Sequence, residues 1–118
     1  MRGWGLLLTA ALLATGSGWG AVQAAGSGNP MNDRLLALPP GRQAQVLANS
    51  IRHGCVGVSA FPMGVTRTGN ARGAAYWSVR CKSGKSYVVQ IAPDKKGTEM
   101  VADCQVLQGT GRECFKKF

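Results

Sequence analysis

Three features of the sequence predict an α+β fold, with one main N-terminal helix packed on a three- to four-stranded antiparallel meander that two disulfides staple. The first is residues 76–106, where three short segments alternate apolar residues with others and are separated by turn chemistry. The second is an upstream apolar stripe, Ala44, Leu47, Ala48 and Ile51, at the i, i+3, i+4, i+7 spacing of a helix that rests one face on a sheet. The third is a set of four cysteines, Cys55, Cys81, Cys104 and Cys114, with no CxxC pair among them.

The first 24 residues read as a signal peptide. Arg2 gives a positive start, 6–14 is an apolar run short of the ~20 residues that span a bilayer, and Val22 and Ala24 occupy the −3 and −1 positions of a cleavage site. The competing reading is a retained anchor. Against it, Gly16, Gly18 and Gly20 interrupt the apolar run and no basic stop-transfer cluster follows. Export places the chain in the periplasm or outside the cell, where disulfides persist. The mature chain of 118 − 24 = 94 residues is then one domain. A domain so small buries too little surface to be indifferent to staples. Zinc would want close ligand pairs and c-type haem a CxxCH, so disulfides explain the cysteines, and neither metal nor cofactor is expected.

Without Arg2 the chain carries 13 basic and 5 acidic residues, 13 − 5 = +8. That charge favours anionic surfaces such as lipopolysaccharide, acidic wall polymers or phospholipid head groups. The competing reading is a solvated basic surface that keeps the protein soluble. Nucleic acid is not expected as a partner, because the chain is exported and its bases are not interleaved with aromatic residues.

Along the chain, 25–38 reads as a flexible leader with a short helical turn: Gly26, Ser27 and Gly28 bury nothing, then Asn29 caps a turn with Pro30 first and Met31 and Leu35 on one face. Pro39-Pro40 ends it and opens the single domain, 39–118. A helix is expected over 41–53, stopped by Gly54. An interfacial membrane helix is the sharper alternative, but a stripe half made of alanine offers little apolar area to anchor. A first strand is expected over 56–61, followed from Pro62 by a glycine-rich loop that carries Arg67 and Arg72, long enough to be a binding segment or disordered.

In the meander, Trp77, Val79 and Cys81 share one face and Tyr76, Ser78 and Arg80 the other. Residues 82–85 turn the chain back, Tyr87, Val89 and Ile91 alternate with Val88 and Gln90, and 93–97 turn it again. In the last segment Met100, Ala102, Cys104 and Val106 alternate with Glu99, Val101, Asp103 and Gln105, which form its polar, solvated side. An antiparallel hairpin of the first two strands brings Cys55 beside Cys81. Of the three possible pairings, Cys55–Cys81 with Cys104–Cys114 is therefore preferred, each contributing on the order of 2–4 kcal/mol. The same topology puts the 62–75 loop and the 93–98 turn at one end, with Arg67, Arg72, Lys95 and Lys96. Lys82, Lys85, Arg112, Lys116 and Lys117 go to the other. The preferred contact surface is the first end, including Phe61, Met63 and Tyr76.

Several motifs are discounted. Ser83-Gly84-Lys85-Ser86 contains the GKS of a P-loop but sits between strands. His53, the single histidine, lies at the expected helix end, where dipole or carbonyl partnership is its ordinary role. The pattern places no two acids in one pocket. A Cys55 nucleophile beside His53 would need a thiol spared from pairing.

The stretch AYWSVRCKSGKSYVVQI, the cysteine strand after it and the ending ECFKKF resemble a group of small exported bacterial four-cysteine proteins of unassigned activity. That resemblance, over about 39–118, implies export and a disulfide-bonded α+β domain. A looser similarity is to periplasmic lysozyme inhibitors, which also set a Tyr-x-Cys and a glycine turn in a small β scaffold. Lysozymes are usually basic, however, and would repel a +8 inhibitor. The expected function is that of a non-catalytic periplasmic or secreted envelope protein binding an anionic polymer or acidic protein partner. The alternative is a proteinaceous inhibitor that offers the 62–75 loop to an envelope hydrolase.

Overall fold

The computed structural model describes residues 26–52 and 54–118. The expected signal peptide and His53 lie outside them. Two helices, α1 (Pro30–Leu36) and α2 (Pro40–Ala48), precede an antiparallel sheet of β1 (Gly57–Val65), β2 (Ala75–Cys81), β3 (Ser86–Ile91) and β4 (Glu99–Asp103), in the order β1-β2-β3-β4. The class is α+β, with disulfides Cys55–Cys81 and Cys104–Cys114 at Cα separations of 5.2 and 6.0 Å. Among the described residues no helix is long and apolar enough to cross a membrane.

Pairing aligns Ala75, Trp77 and Val79 with Ile91, Val89 and Tyr87, so one face of β2 and β3 is continuously apolar. Leu35, Leu47 and Ile51 close over this face. Helix α2 lies against β1 and β2, where Gly57 lets it approach: a Cβ there would collide with the Ala44 carbonyl oxygen. The helix ends at Ala48, earlier than its apolar stripe suggests. Tighter i+3 bonds from Ser50 to Leu47 and from Ile51 to Ala48 follow, and they still bury Ile51.

The leader departs from the flexible segment its composition suggests. Asn29 is 0% exposed, and its amide donates to the carbonyls of Gly73 and Ile91, both at 2.9 Å, while its Oδ1 accepts from Asn32 N–H. One asparagine thus caps α1 and donates to two carbonyls, one in the loop before β2 and one at the end of β3. Asn32 in turn accepts the indole N–H of Trp77 at 2.8 Å. Gln43 of α2 donates to the Leu35 carbonyl at 2.9 Å and ties the helices together.

Strand β1 runs four residues past its expected end at Phe61, straight through Pro62. Proline is tolerated because β1 is an edge strand and its register slips between Pro62 and Gly64. A second slip between Gly57 and Ser59 breaks the expected alternation and leaves Val56 and Val58 61% and 52% exposed. The loop is correspondingly shorter and ordered: Thr66 and Ala74 pair through their backbones, and the Thr66 hydroxyl donates to the Ala71 carbonyl.

Strand β4 is also shorter than expected, because Cys104–Leu107 is a 3-10 helix capped by Asp103. Its faces are the reverse of a simple polar-out reading. Glu99, Val101 and Asp103 stand opposite Ile91, Val89 and Tyr87, on the helix side, and Met100 faces outward at 67% exposure. The helices sit over the other end of the sheet, so the helix side of β4 opens into a cleft of about 520 Å³ rather than a core.

In the β3–β4 turn the Asp94 carboxylate accepts from Thr98 Oγ1 at 2.8 Å, Thr98 N–H at 3.1 Å and Gly97 N–H at 2.6 Å. The Thr98 hydroxyl, followed by these backbone donors, holds its pKa below the ordinary aspartate value. A depressed folded pKa gives stability that is complete above the unfolded value of about 3.9 and is lost as pH falls through the folded value. Hydrogen exchange at Gly97 and Thr98 is expected to be pH-insensitive in protection above that value and to lose protection below it, and Asp94→Asn abolishes the dependence. For the leader, Asn29→Ala is expected to destabilise by about 2–4 kcal/mol in urea unfolding, because two carbonyls lose their donor. The exposed Leu36→Ala should change stability by less than about 0.5 kcal/mol.

Candidate functional site

Once the helices cover one face of the sheet, the other still needs a cover, because Tyr76, Ser78 and Val88 project from it. The C-terminal strap, residues 104–118, supplies it. Its 3-10 helix lies against β3, and the Cys104–Cys114 disulfide folds the following glycine-rich residues into a closed loop. The chain then crosses the outer face. Phe115 N–H donates to the fully buried Ser78 hydroxyl at 2.9 Å, and Phe118 N–H donates to the Met63 carbonyl at 3.0 Å.

The strap's aromatic rings meet those of the sheet. Phe61 of β1 lies 6.4 Å from Phe115, and Tyr76 of β2 meets Phe118 edge-on at 5.4 Å. All three phenylalanines of the chain are gathered here. Cations lie over each ring: Arg80 over Phe115 at 5.0 Å, Arg112 over Phe118 at 4.1 Å and Tyr76 at 6.0 Å, and Lys117 over Phe61 at 5.7 Å. Each contact is worth roughly 0.5–1 kcal/mol at an exposed site, enough to bias a long side chain toward one place.

Beside these rings a shallow groove of about 430 Å³ is lined by Thr110, Arg112, Glu113, Lys116, Lys117 and Phe118. The Lys116–Glu113 pair at 3.3 Å is exposed and weak. With Arg80 the face carries four bases against one acid, 4 − 1 = +3. Phe115 is held at φ 64, the one non-glycine residue with positive φ among those described. Such a conformation costs on the order of 1–3 kcal/mol and persists only where surroundings over-determine it, as the Ser78 bond and ring contacts do here.

The residues anticipated as a contact surface separate. Phe61 and Tyr76 belong to this face. Met63 is buried and contributes its carbonyl, not its side chain. Arg67 and Arg72 are exposed on the β1–β2 loop, and Lys95 and Lys96 on the β3–β4 turn. Loop and turn do share an end, for Gly73 packs against Pro93. Arg112 and Lys117 are not at the opposite end with Lys82 and Lys85. The strap reverses after Cys104 and carries them back over Tyr76 and Phe61, so a basic, aromatic face stands apart from the bases at the two ends of the sheet. The tail has no periodicity to reveal this; its two phenylalanines, Phe115 and Phe118, outside any core pattern, are its only sequence signal.

The cleft at β4 is chemically different. Glu99 and Asp103 line it together, contrary to the expectation that no two acids share a pocket, and Arg52 and Lys85 line it too. Four residues along a strand separate their backbones by about 13 Å, too far for paired-carboxylate chemistry. Cys55 is disulfide-bonded, which removes the thiol a nucleophile would need. The GKS segment is a plain turn, with Gly84 at φ 96 and its N–H donating to the Cys81 carbonyl at 2.9 Å.

Gly64 is where strap and sheet touch most closely. It adopts φ 143, and a Cβ there would lie 2.9 Å from the Phe118 ring. Gly64→Ala is expected to displace Phe118 from Tyr76 and to destabilise by about 1–3 kcal/mol. Loss of ring-current-shifted Tyr76 signals, with the Trp77 indole N–H resonance unchanged, would show that the strap lifts while the core stays intact.

No protein-family model matches the chain, and neither a curated protein nor a solved structure does.

Proposed function

We propose that the protein is an exported, non-catalytic envelope protein that binds an anionic polymer or an acidic partner through its strap-covered outer face. One observation carries this reading: Arg80 of β2 and, from the distant strap, Arg112 and Lys117 are gathered on one face and each lies over an aromatic ring. Ordering long basic side chains before binding lowers the entropy lost when they engage an anion. The signal-like first 24 residues and two disulfides support export to the periplasm or beyond. Glu99 and Asp103 in the β4 cleft stand about 13 Å apart along their strand, and all four cysteines are paired.

Basic charge alone would bind anions weakly anywhere on the surface, so the test compares two triple variants of equal charge. Arg80→Gln/Arg112→Gln/Lys117→Gln should elute from purified envelope fractions at markedly lower salt than wild type, because three anion contacts are lost. Arg42→Gln/Lys82→Gln/Lys85→Gln should elute close to wild type. Equal behaviour of the two would leave only a solvated basic surface. Thr68→Ala/Asn70→Ala, which changes the β1–β2 loop without touching charge, should not alter retention. If it alone abolished retention, the loop-led inhibitor of an envelope hydrolase would replace this reading.

A further inference from the structure

We infer that the outer face takes a phosphodiester polymer by its charge alone and draws no added affinity from nucleobases, an inference that rests on the anionic-polymer reading above. Proteins that bind single-stranded nucleic acid offer bare aromatic faces on which bases stack, alongside cations that follow the backbone. Here the aromatic rings are present, but each already carries a cation. Arg112 sits 4.1 Å above the Phe118 ring, whose other neighbours are Gly64 and the edge-on Tyr76. Arg80 covers Phe115 and Lys117 covers Phe61, while Phe61 and Phe115 tilt against each other. A base that stacked where a cation lies would displace a guanidinium or ammonium, so its stacking gain would be offset by the lost cation contact.

The cations themselves keep their hydrogen-bond donors. A guanidinium attracted to a ring through its charge still has five N–H donors, which phosphate oxygens accept in pairs. Arg112 lines the open strap groove with Lys116 and Lys117, so successive phosphates of a chain can be met along the strap. The rings act as rests for the cations rather than as platforms for the ligand.

The test uses the oxidised protein and two fluorescent oligomers with the same number of phosphodiesters, one of abasic deoxyribose and one of deoxyadenosine. Binding is followed by anisotropy across a salt series. The two are expected to bind within about threefold of each other, because a base must compete with the cation already over each ring. Deoxyadenosine binding more than about tenfold tighter would overturn the inference and leave the anionic-polymer reading standing. Failure of both oligomers to bind, together with equal envelope retention of the two triple variants, would remove the reading itself. Arg112→Gln supplies the internal control, since it uncaps Phe118. It should weaken the abasic oligomer and lower its log–log salt slope by about one. The deoxyadenosine oligomer should lose less, so that the two affinities separate by at least about threefold. Parity persisting in Arg112→Gln would show that capped rings are not the cause, and would sink the inference.

Discussion

The indole N–H of Trp77 has no route to water, and the fold is arranged around giving it a partner. Trp77 is 0% exposed at the centre of the helix-side core, flanked by Val79 on its own strand and by Val89 on the next. A buried indole without an acceptor would forfeit much of what its apolar surface gains. Asn32 provides the acceptor, and α1 therefore has to sit where it does. A seven-residue helix has little stability of its own, so its position is set by the groups it satisfies. Asn29, at its cap, bonds to the loop at Gly73 and the end of β3 at Ile91 and fixes it from below. What composition presents as a loose leader is the polar underside of the core.

The two faces of the sheet are solved differently. The helix side is closed by ordinary apolar packing, with Cys55–Cys81 joining the segment after α2 to the end of β2. The outer side is closed by fifteen residues of strap that could not fold alone and depend on Cys104–Cys114, two backbone bonds and stacked rings. One disulfide secures the core and the other a surface. Bending the strap across the sheet puts Phe115 in a strained conformation and, by the same bend, sets Arg112 and Lys117 over rings that belong to β1 and β2. A small domain with one thin layer of helices thereby acquires a second, charged cover, and that cover is its most distinctive surface.

Phe61 and Tyr76 were legible as surface residues of interest because strand order puts them at the end of the sheet beside the 62–75 loop. Their partners were not. Arg80 could be placed on the same face as Tyr76 from strand periodicity, but nothing in a glycine-rich tail says whether it runs past the sheet, away from it, or back across it. The assignment of Arg112 and Lys117 to the far end followed from assuming that the tail stays where the last strand leaves it. In the structure the 3-10 helix after Asp103 ends β4 early and redirects the chain. The polar side of β4 misled for a related reason: alternation shows that a strand has two unlike faces, not which of them a distant helix reaches.

The sequence by itself determined the meander, its turns, the site of the helix bearing the apolar stripe, the α+β class and, through antiparallel adjacency, the disulfide pairing. These follow from interactions within a few residues: side-chain periods, prolines and glycines where the backbone bends, and strands joined by short turns. Only the tertiary structure decided the burial of Asn29 and Asn32, the slips in β1, the open side of β4 and the path of the strap. Asn32 meets Trp77 across 45 residues and Asn29 meets Ile91 across 62. Whether a polar group is buried with a partner or left in water is settled by what arrives from elsewhere in the chain, and no local pattern encodes that arrival.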